Sequence, residues 1–126
     1  MNERLRRGRT IRAEVLGEDT VRKRLDEADP FNRDFQELIT EFCWGAGWGR
    51  TALTRRDRSL MNLGMLAALN RADEFELHVR AALKNGVTRE ELKDALIQVG
   101  IYCGVPAGVE AFRIASKVLK EADGRG

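Results

Sequence analysis

The sequence predicts an all-α fold, a bundle of about six helices that assembles into an oligomer. Three observations carry this. Apolar residues recur at helical spacing in most segments, and both prolines, Pro30 and Pro106, stand where helical patterns begin. No segment sustains a two-residue alternation between hairpin turns, so strands are unsupported.

The elements follow in order. Glu3 to Leu16 carries Leu5, Ile11 and Val15, and Gly17 supplies a C-terminal stop. A short charged stretch, Asp19 to Glu27, comes next. Phe31, Phe35, Leu38, Ile39 and Phe42 then mark one stripe of an amphipathic helix. Thr54 with Asp57 resembles a capping box ahead of Leu60, Met61, Leu63, Met65, Leu66 and Leu69. That helix is apolar on nearly every face, so protein must surround it, from this chain or from a second subunit. Glu74 to Lys84 forms a helix closed by Asn85-Gly86. Thr88 and Glu91 make a full capping box for the next, with Leu92, Ala95, Leu96 and Val99 on one stripe. Gly104 to Pro106 breaks the chain. A last helix buries Ala111, Phe112, Ala115, Val118 and Leu119.

With 126 residues the chain suits a single domain, read as an N-terminal helical extension over residues 1–30 and a core over 31–121. Twenty-two Lys and Arg against twenty Asp and Glu, interleaved, leave no electrostatic footprint for nucleic acid. The longest apolar run, Leu60 to Leu69, is far short of a membrane span. The opening Met-Asn-Glu-Arg-Leu-Arg-Arg lacks a signal peptide's apolar stretch. Cys43 and Cys103 lie 60 positions apart, with no CxxC and no His at metal spacing. The expectation is a reduced, cytoplasmic, soluble domain with no metal site.

Few residues offer chemistry. His78 is the single histidine, and helical spacing puts Glu74 one turn before it, where a carboxylate could orient the imidazole and raise its pKa. The alternative is a histidine at the surface or core edge. Trp44, Trp48 and Arg50 share the stretch Trp44-Gly-Ala-Gly-Trp-Gly-Arg50. Two indoles beside a guanidinium could wall an anion pocket, or the loop could plug the end of a bundle. The glycines do not match a phosphate-binding fingerprint. Arg55, Arg56 and Arg58 crowd a helix N-terminus, where the dipole disfavours cations, which calls for acidic partners, a ligand or solvent. Cys103 reads as a small buried hydrophobe.

Several separated motifs agree on one resemblance. Glu74-Phe-Glu-Leu-His-Val-Arg-Ala-Ala-Leu-Lys-Asn-Gly-Val-Thr-Arg-Glu-Glu91 and Gln98-Val-Gly-Ile-Tyr-Cys-Gly-Val-Pro-Ala107 resemble the gamma-carboxymuconolactone decarboxylase family. Phe42-Cys-Trp-Gly-Ala-Gly-Trp-Gly-Arg50 and the segment Thr54 to Asn70 do so in register, and the likeness runs from about Phe31 to Leu119. The wider superfamily has the AhpD-like helical fold and includes peroxidases with a Glu-x11-Cys-x2-Cys-x3-His pattern. Aligned on His78, the two cysteine positions hold Arg71 and Glu74, and the glutamate position holds Ser59. Thiol redox chemistry is therefore disfavoured at this site.

The resemblance implies decarboxylation of 4-carboxymuconolactone to an oxoadipate enol-lactone, in protocatechuate breakdown by the beta-ketoadipate route. It implies no cofactor, because the conjugated lactone carbonyl is its own electron sink. The implied partners are a dicarboxylate lactone and further copies of the chain, as a hexamer or trimer, with no nucleic acid and no membrane. His78 is the candidate proton donor or oxyanion partner, with Glu74 orienting it. Arg50 and Arg80 are candidate carboxylate clamps, and Trp44, Trp48 and Tyr102 an apolar wall. Arg80 lies two positions from His78, on a different helix face, and could instead make a salt bridge or serve a neighbouring subunit. Two other readings stay open: a related enzyme acting on another lactone or keto acid, and a non-catalytic ligand-binding oligomer.

Overall fold

A computed structural model describes residues 2–125, and among these every regular element is helical. Seven α-helices occur among the described residues, two of them continued by wider π-helical turns. The chain divides into two compact units, Met1–Arg55 and Arg56–Gly126, each taken by itself below.

In the N-terminal unit, α1 spans Glu3–Leu16. Asn2 caps it by accepting the Leu5 N–H at 2.7 Å, and Gly17, at φ 103°, ends it where an L-residue would be strained. Its inner face buries Leu5, Gly8, Ile11, Arg12 and Val15. The short α2, Glu18–Val21, runs on as π turns through Arg22–Asp26. Asp29 caps α3, Pro30–Ile39, by accepting from Asn32, with Pro30 in the first turn, where its missing N–H costs nothing. The same helix widens into π turns over Thr40–Gly47.

The widened stretch lies against α1 with no room for side chains at the crossing. A Cβ on Gly8 would stand 2.0 Å from the Thr40 carbonyl oxygen, and one on Gly45 would stand 2.8 Å from that of Arg4. Polar groups fill the space beside it: buried Arg12 donates to Thr40 Oγ1 and to Gln36 Oε1, each at 3.0 Å.

One face of α3 finds no cover among the described residues of its own unit. Phe31 is 99% exposed, and Phe35, Leu38 and Phe42 are each more than half exposed. The stripe read from the sequence is present, but it points outward.

The C-terminal unit holds α4 (Arg55–Ala68) from its second residue on, α5 (Ala72–Lys84), α6 (Arg89–Cys103) and α7 (Val105–Arg125). Leu63, Phe75, Val79, Leu92, Leu96, Ile114 and Val118 form its core. The Thr88–Glu91 capping box closes in both directions, at 2.9 and 3.1 Å. Gly86 and Gly104, at φ 101° and 102°, make the two sharp stops. Gly108 meets Gly100 so closely that a Cβ would fall 2.8 Å from the Gly100 Cα, which lets α6 and α7 lie backbone to backbone.

On α4 only Ser59 and Leu63 are buried, while Met61 and Met65, with Leu69 just past its end, face outward within this unit. Two local expectations need correction. On α7 Ala111, Ala115 and Val118 are buried together with Ile114, whereas Phe112 is exposed. Cys103, at the last residue of α6, is exposed, because the helix ends there and nothing packs over its thiol.

Candidate active site residues

The N-terminal unit brings Trp44, Trp48 and Arg50 into one neighbourhood. The two indoles are buried and stacked, their centroids 5.0 Å apart and their planes 21° off parallel. The π turns of Thr40–Gly47 carry Trp44, and at their end the Trp48 N–H closes onto the Cys43 carbonyl at 2.9 Å. The chain then turns through Gly49, whose missing side chain lets it lie against the Gly45 carbonyl oxygen, where a Cβ would sit at 2.2 Å. Arg50 follows, exposed.

A cleft of about 580 Å³ opens beside Trp48. Arg50 lines it, and so do three arginines that the sequence reading did not assign to a site: Arg6, Arg7 and Arg55. Arg6 pairs with Glu3 at 2.6 Å and Arg55 with Glu14 at 3.0 Å. Arg7 donates from Nη2 to the Gly49 carbonyl oxygen at 2.9 Å. Glu3, Arg7 and Thr10 share the cleft-facing side of α1 at helical spacing, a polar stripe visible in the sequence. What the sequence does not show is that this stripe meets a loop more than forty residues on.

In the C-terminal unit α5 carries His78 and Glu74. His78 is 7% exposed, among the buried residues Phe75, Val79, Ala81 and Ala82 of the same helix. Glu74 is half-buried one turn earlier and helps line a cleft of about 380 Å³ with Asn70, Arg71 and Asp73. Asn70 adopts φ 59° just before this helix, a left-handed turn that Asn tolerates. One turn beyond Ala81, Asn85 reaches Ser59 of α4, with Nδ2 3.5 Å from Oγ. Ser59 is fully buried.

The other two sequence candidates are placed differently. Arg80 donates from Nη2 to Glu76 at 3.0 Å and to Glu121 at 2.7 Å, which ties α5 to α7, and Lys117 binds the other oxygen of Glu76 at 3.1 Å. This is the salt bridge that the sequence left as an alternative to a clamp. Its two carboxylate hydrogen bonds hold the Arg80 guanidinium above its ordinary pKa, Glu121 contributing most. Tyr102 is 82% exposed on the rim of an open groove, beside Met61, Gln98 and Cys103. The arginines at the start of α4 have acidic answers: Arg55 takes Glu14, and Arg56 takes Asp57 and Glu91.

No helix of the described residues is long and apolar enough to cross a membrane. No cluster of three His, Cys, Asp or Glu able to hold a metal ion occurs among them.

Comparison with known proteins matches these helices to one family. The family model for carboxymuconolactone decarboxylases covers residues 33–117. Over 119 residues, 94% of this chain and 89% of the relative, the sequence is 42% identical to a 4-carboxymuconolactone decarboxylase of Acinetobacter baylyi. Over the same length, 94% of this chain and 83% of the relative, it is 40% identical to a nitrosuccinic acid decarboxylase of Metarhizium robertsii. The chain belongs to the carboxymuconolactone decarboxylase family.

Proposed function

We propose that this protein is a carboxy-lyase that removes CO2 from 4-carboxymuconolactone, giving the enol-lactone of 3-oxoadipate in protocatechuate catabolism. The observation that carries this reading is 42% identity, across 94% of the chain, to a relative bearing that activity in its name.

The substrate's own bonds dictate what such an enzyme must supply. The departing carboxylate sits on a ring carbon conjugated through a C=C bond to the lactone carbonyl. As the C–CO2 bond breaks, its electron pair flows into that carbonyl as a dienolate. One proton then adds to carbon, and the charge on oxygen collapses back. The protein has to hold a dianion, steady the developing oxyanion and deliver a proton.

His78 is assigned the proton transfer. Burial among apolar neighbours shields its ring from bulk water, and Glu74, one turn away, orients it. Arg50 is assigned to a substrate carboxylate, and the Trp44–Trp48 stack to a dry wall. Arg80, already held by two carboxylates, serves to tie α5 to α7, and Tyr102 plays no part in a closed wall within its unit. No cofactor enters the scheme.

A second reading rests on the nitrosuccinic acid decarboxylase relative. In nitrosuccinic acid the departing carboxylate lies on the carbon bearing the nitro group, so the electron pair passes into a nitronate. The demands are the same: a diacid, an anionic oxygen acceptor and a proton for carbon.

We further assign the protein to the cytoplasm, where its two unpaired cysteines suit a reducing environment, and to a homo-oligomer. The outward apolar face of α3, with Phe31 and Phe35 in open solvent, is the surface a second copy would cover.

The test is CO2 release by purified protein from 4-carboxymuconolactone and, in parallel, from nitrosuccinate, without added metal or coenzyme. Turnover of the lactone at a kcat/KM above that of nitrosuccinate supports the first reading. The reverse order selects the second, and no release from either removes both.

A further inference from the structure

The cleft beside Trp48 carries charge that the assignments above do not use. Two of its four arginines are balanced by carboxylates, Arg6 by Glu3 and Arg55 by Glu14. Arg7 differs. Its Nη2 is fixed on the Gly49 carbonyl oxygen at 2.9 Å, and a neutral acceptor holds the side chain in place without cancelling its charge. The anchor is itself well fixed, since Gly49 is pressed against the Gly45 carbonyl so tightly that no side chain fits. The remaining N–H groups of the guanidinium form a positioned fork on the cleft wall. Arg50 stands on the same wall and Trp48 supplies an apolar side. A cleft of about 580 Å³ is of the size that takes a small organic acid.

We propose that this cleft is a carboxylate subsite, in which Arg7, with Arg50, grips the substrate carboxylate that is retained and not the one lost. The proposal rests on the diacid decarboxylase reading. The choice of carboxylate follows from where charge goes in the reaction. The leaving carboxylate becomes neutral CO2, so a guanidinium fork on it would stabilise the ground state more than the transition state and slow the step. The retained carboxylate keeps its charge throughout. Gripping it adds affinity uniformly and selects diacids over monoacids, with no penalty on the chemical step.

Both tryptophans of the chain are in this stack and Trp48 lines the cleft, so their emission responds to its occupation. Native protein titrated with succinate should show a saturating change in tryptophan fluorescence, and propanoate should need at least about tenfold higher concentration. Arg7→Gln keeps a polar side chain but removes the charge and the fork. It should abolish the succinate response and raise KM for the diacid substrate about tenfold to a hundredfold, with kcat changed less than about threefold. Arg7→Lys keeps the charge but not the fork and should fall between the two. Thermal melting of each variant checks folding, and Lys serves if Gln does not fold.

A folded Arg7→Gln variant that binds succinate like the native protein, or that keeps its KM, overturns the subsite. So does a loss confined to kcat. Because succinate binding needs no turnover, the two claims fail separately. A protein that decarboxylates while Arg7→Gln is silent loses the subsite and keeps its activity. A protein inert on both acids, whose succinate response still depends on Arg7, keeps the subsite and loses the assigned reaction.

Discussion

Arg12 and Thr40 are hydrogen-bonded in the interior of the N-terminal unit: the guanidinium Nη1 donates to Oγ1 at 3.0 Å, with Arg12 only 2% exposed. Thr40 Oγ1 in turn donates to the Gln36 carbonyl at 2.6 Å. The first π turn, α3 and α1 are thus joined by one buried polar chain. Thr40→Val keeps the shape and removes the acceptor from a buried cation. It should destabilise the protein by about 1–3 kcal/mol in urea unfolding. An unchanged midpoint would show that the bond contributes nothing.

Two glycines inside helices, one in each unit, carry opposite predictions. Gly8→Ala places a methyl group 2.0 Å from the Thr40 carbonyl oxygen and should lower stability by at least about 2 kcal/mol, despite the better helix propensity of Ala. Gly64→Ala, where a Cβ meets nothing within 4 Å, should raise stability by about 0.5–1 kcal/mol. Thermal melts of the two variants side by side settle whether close backbone approach or helix propensity governs.

Acid should loosen both units. In the first, the Asp26 carboxyl lies below its ordinary value because Arg9 hydrogen-bonds it. In the second, Glu76 does so through Arg80 first and then Lys117. The folded form therefore binds fewer protons than the unfolded chain. That contribution is complete above the usual carboxylate range and is lost as pH falls through the depressed values. Melting temperature should drop from pH 5 to pH 3, and Glu76→Gln should flatten the slope. An unaltered slope in the variant would remove Glu76 from the account.

The exposed stripe of α3 bears on assembly. Phe35→Asp puts a charge on the face assigned to a second copy and should shift the mass measured by light scattering toward smaller species. A native protein that runs as a monomer would contradict the assignment.

What the sequence makes legible is what neighbouring residues decide among themselves. The Thr88–Glu91 box and the stops at Gly17, Gly86 and Gly104 each depend on a few adjacent positions, and each is where the pattern puts it. The amphipathic stripe of Phe31, Phe35, Leu38 and Phe42 is equally local, but what covers it is not, and periodicity cannot tell a core face from an interface. The π turns over Thr40–Gly47 follow from the fit of Gly45 against α1, a contact far apart in sequence. Arg7 is not legible for the same reason: the placement of its guanidinium depends on Gly49, and no spacing rule links them. Phe112 and Cys103 show the limit from the other side, since both are apolar in a helical register and both are exposed. His78, Glu74, Arg50 and the two tryptophans could be named from sequence as chemistry-bearing types, whereas the tie from Arg80 to Glu121 could not.

The proposed proton transfer depends most on the buried imidazole. The decisive measurement is kcat for CO2 release from 4-carboxymuconolactone by His78→Gln, compared with the native protein under conditions where both melt alike. General acid–base participation predicts a fall of about 10²–10⁴-fold. A fall of less than about tenfold would contradict it and move the proton transfer to another group.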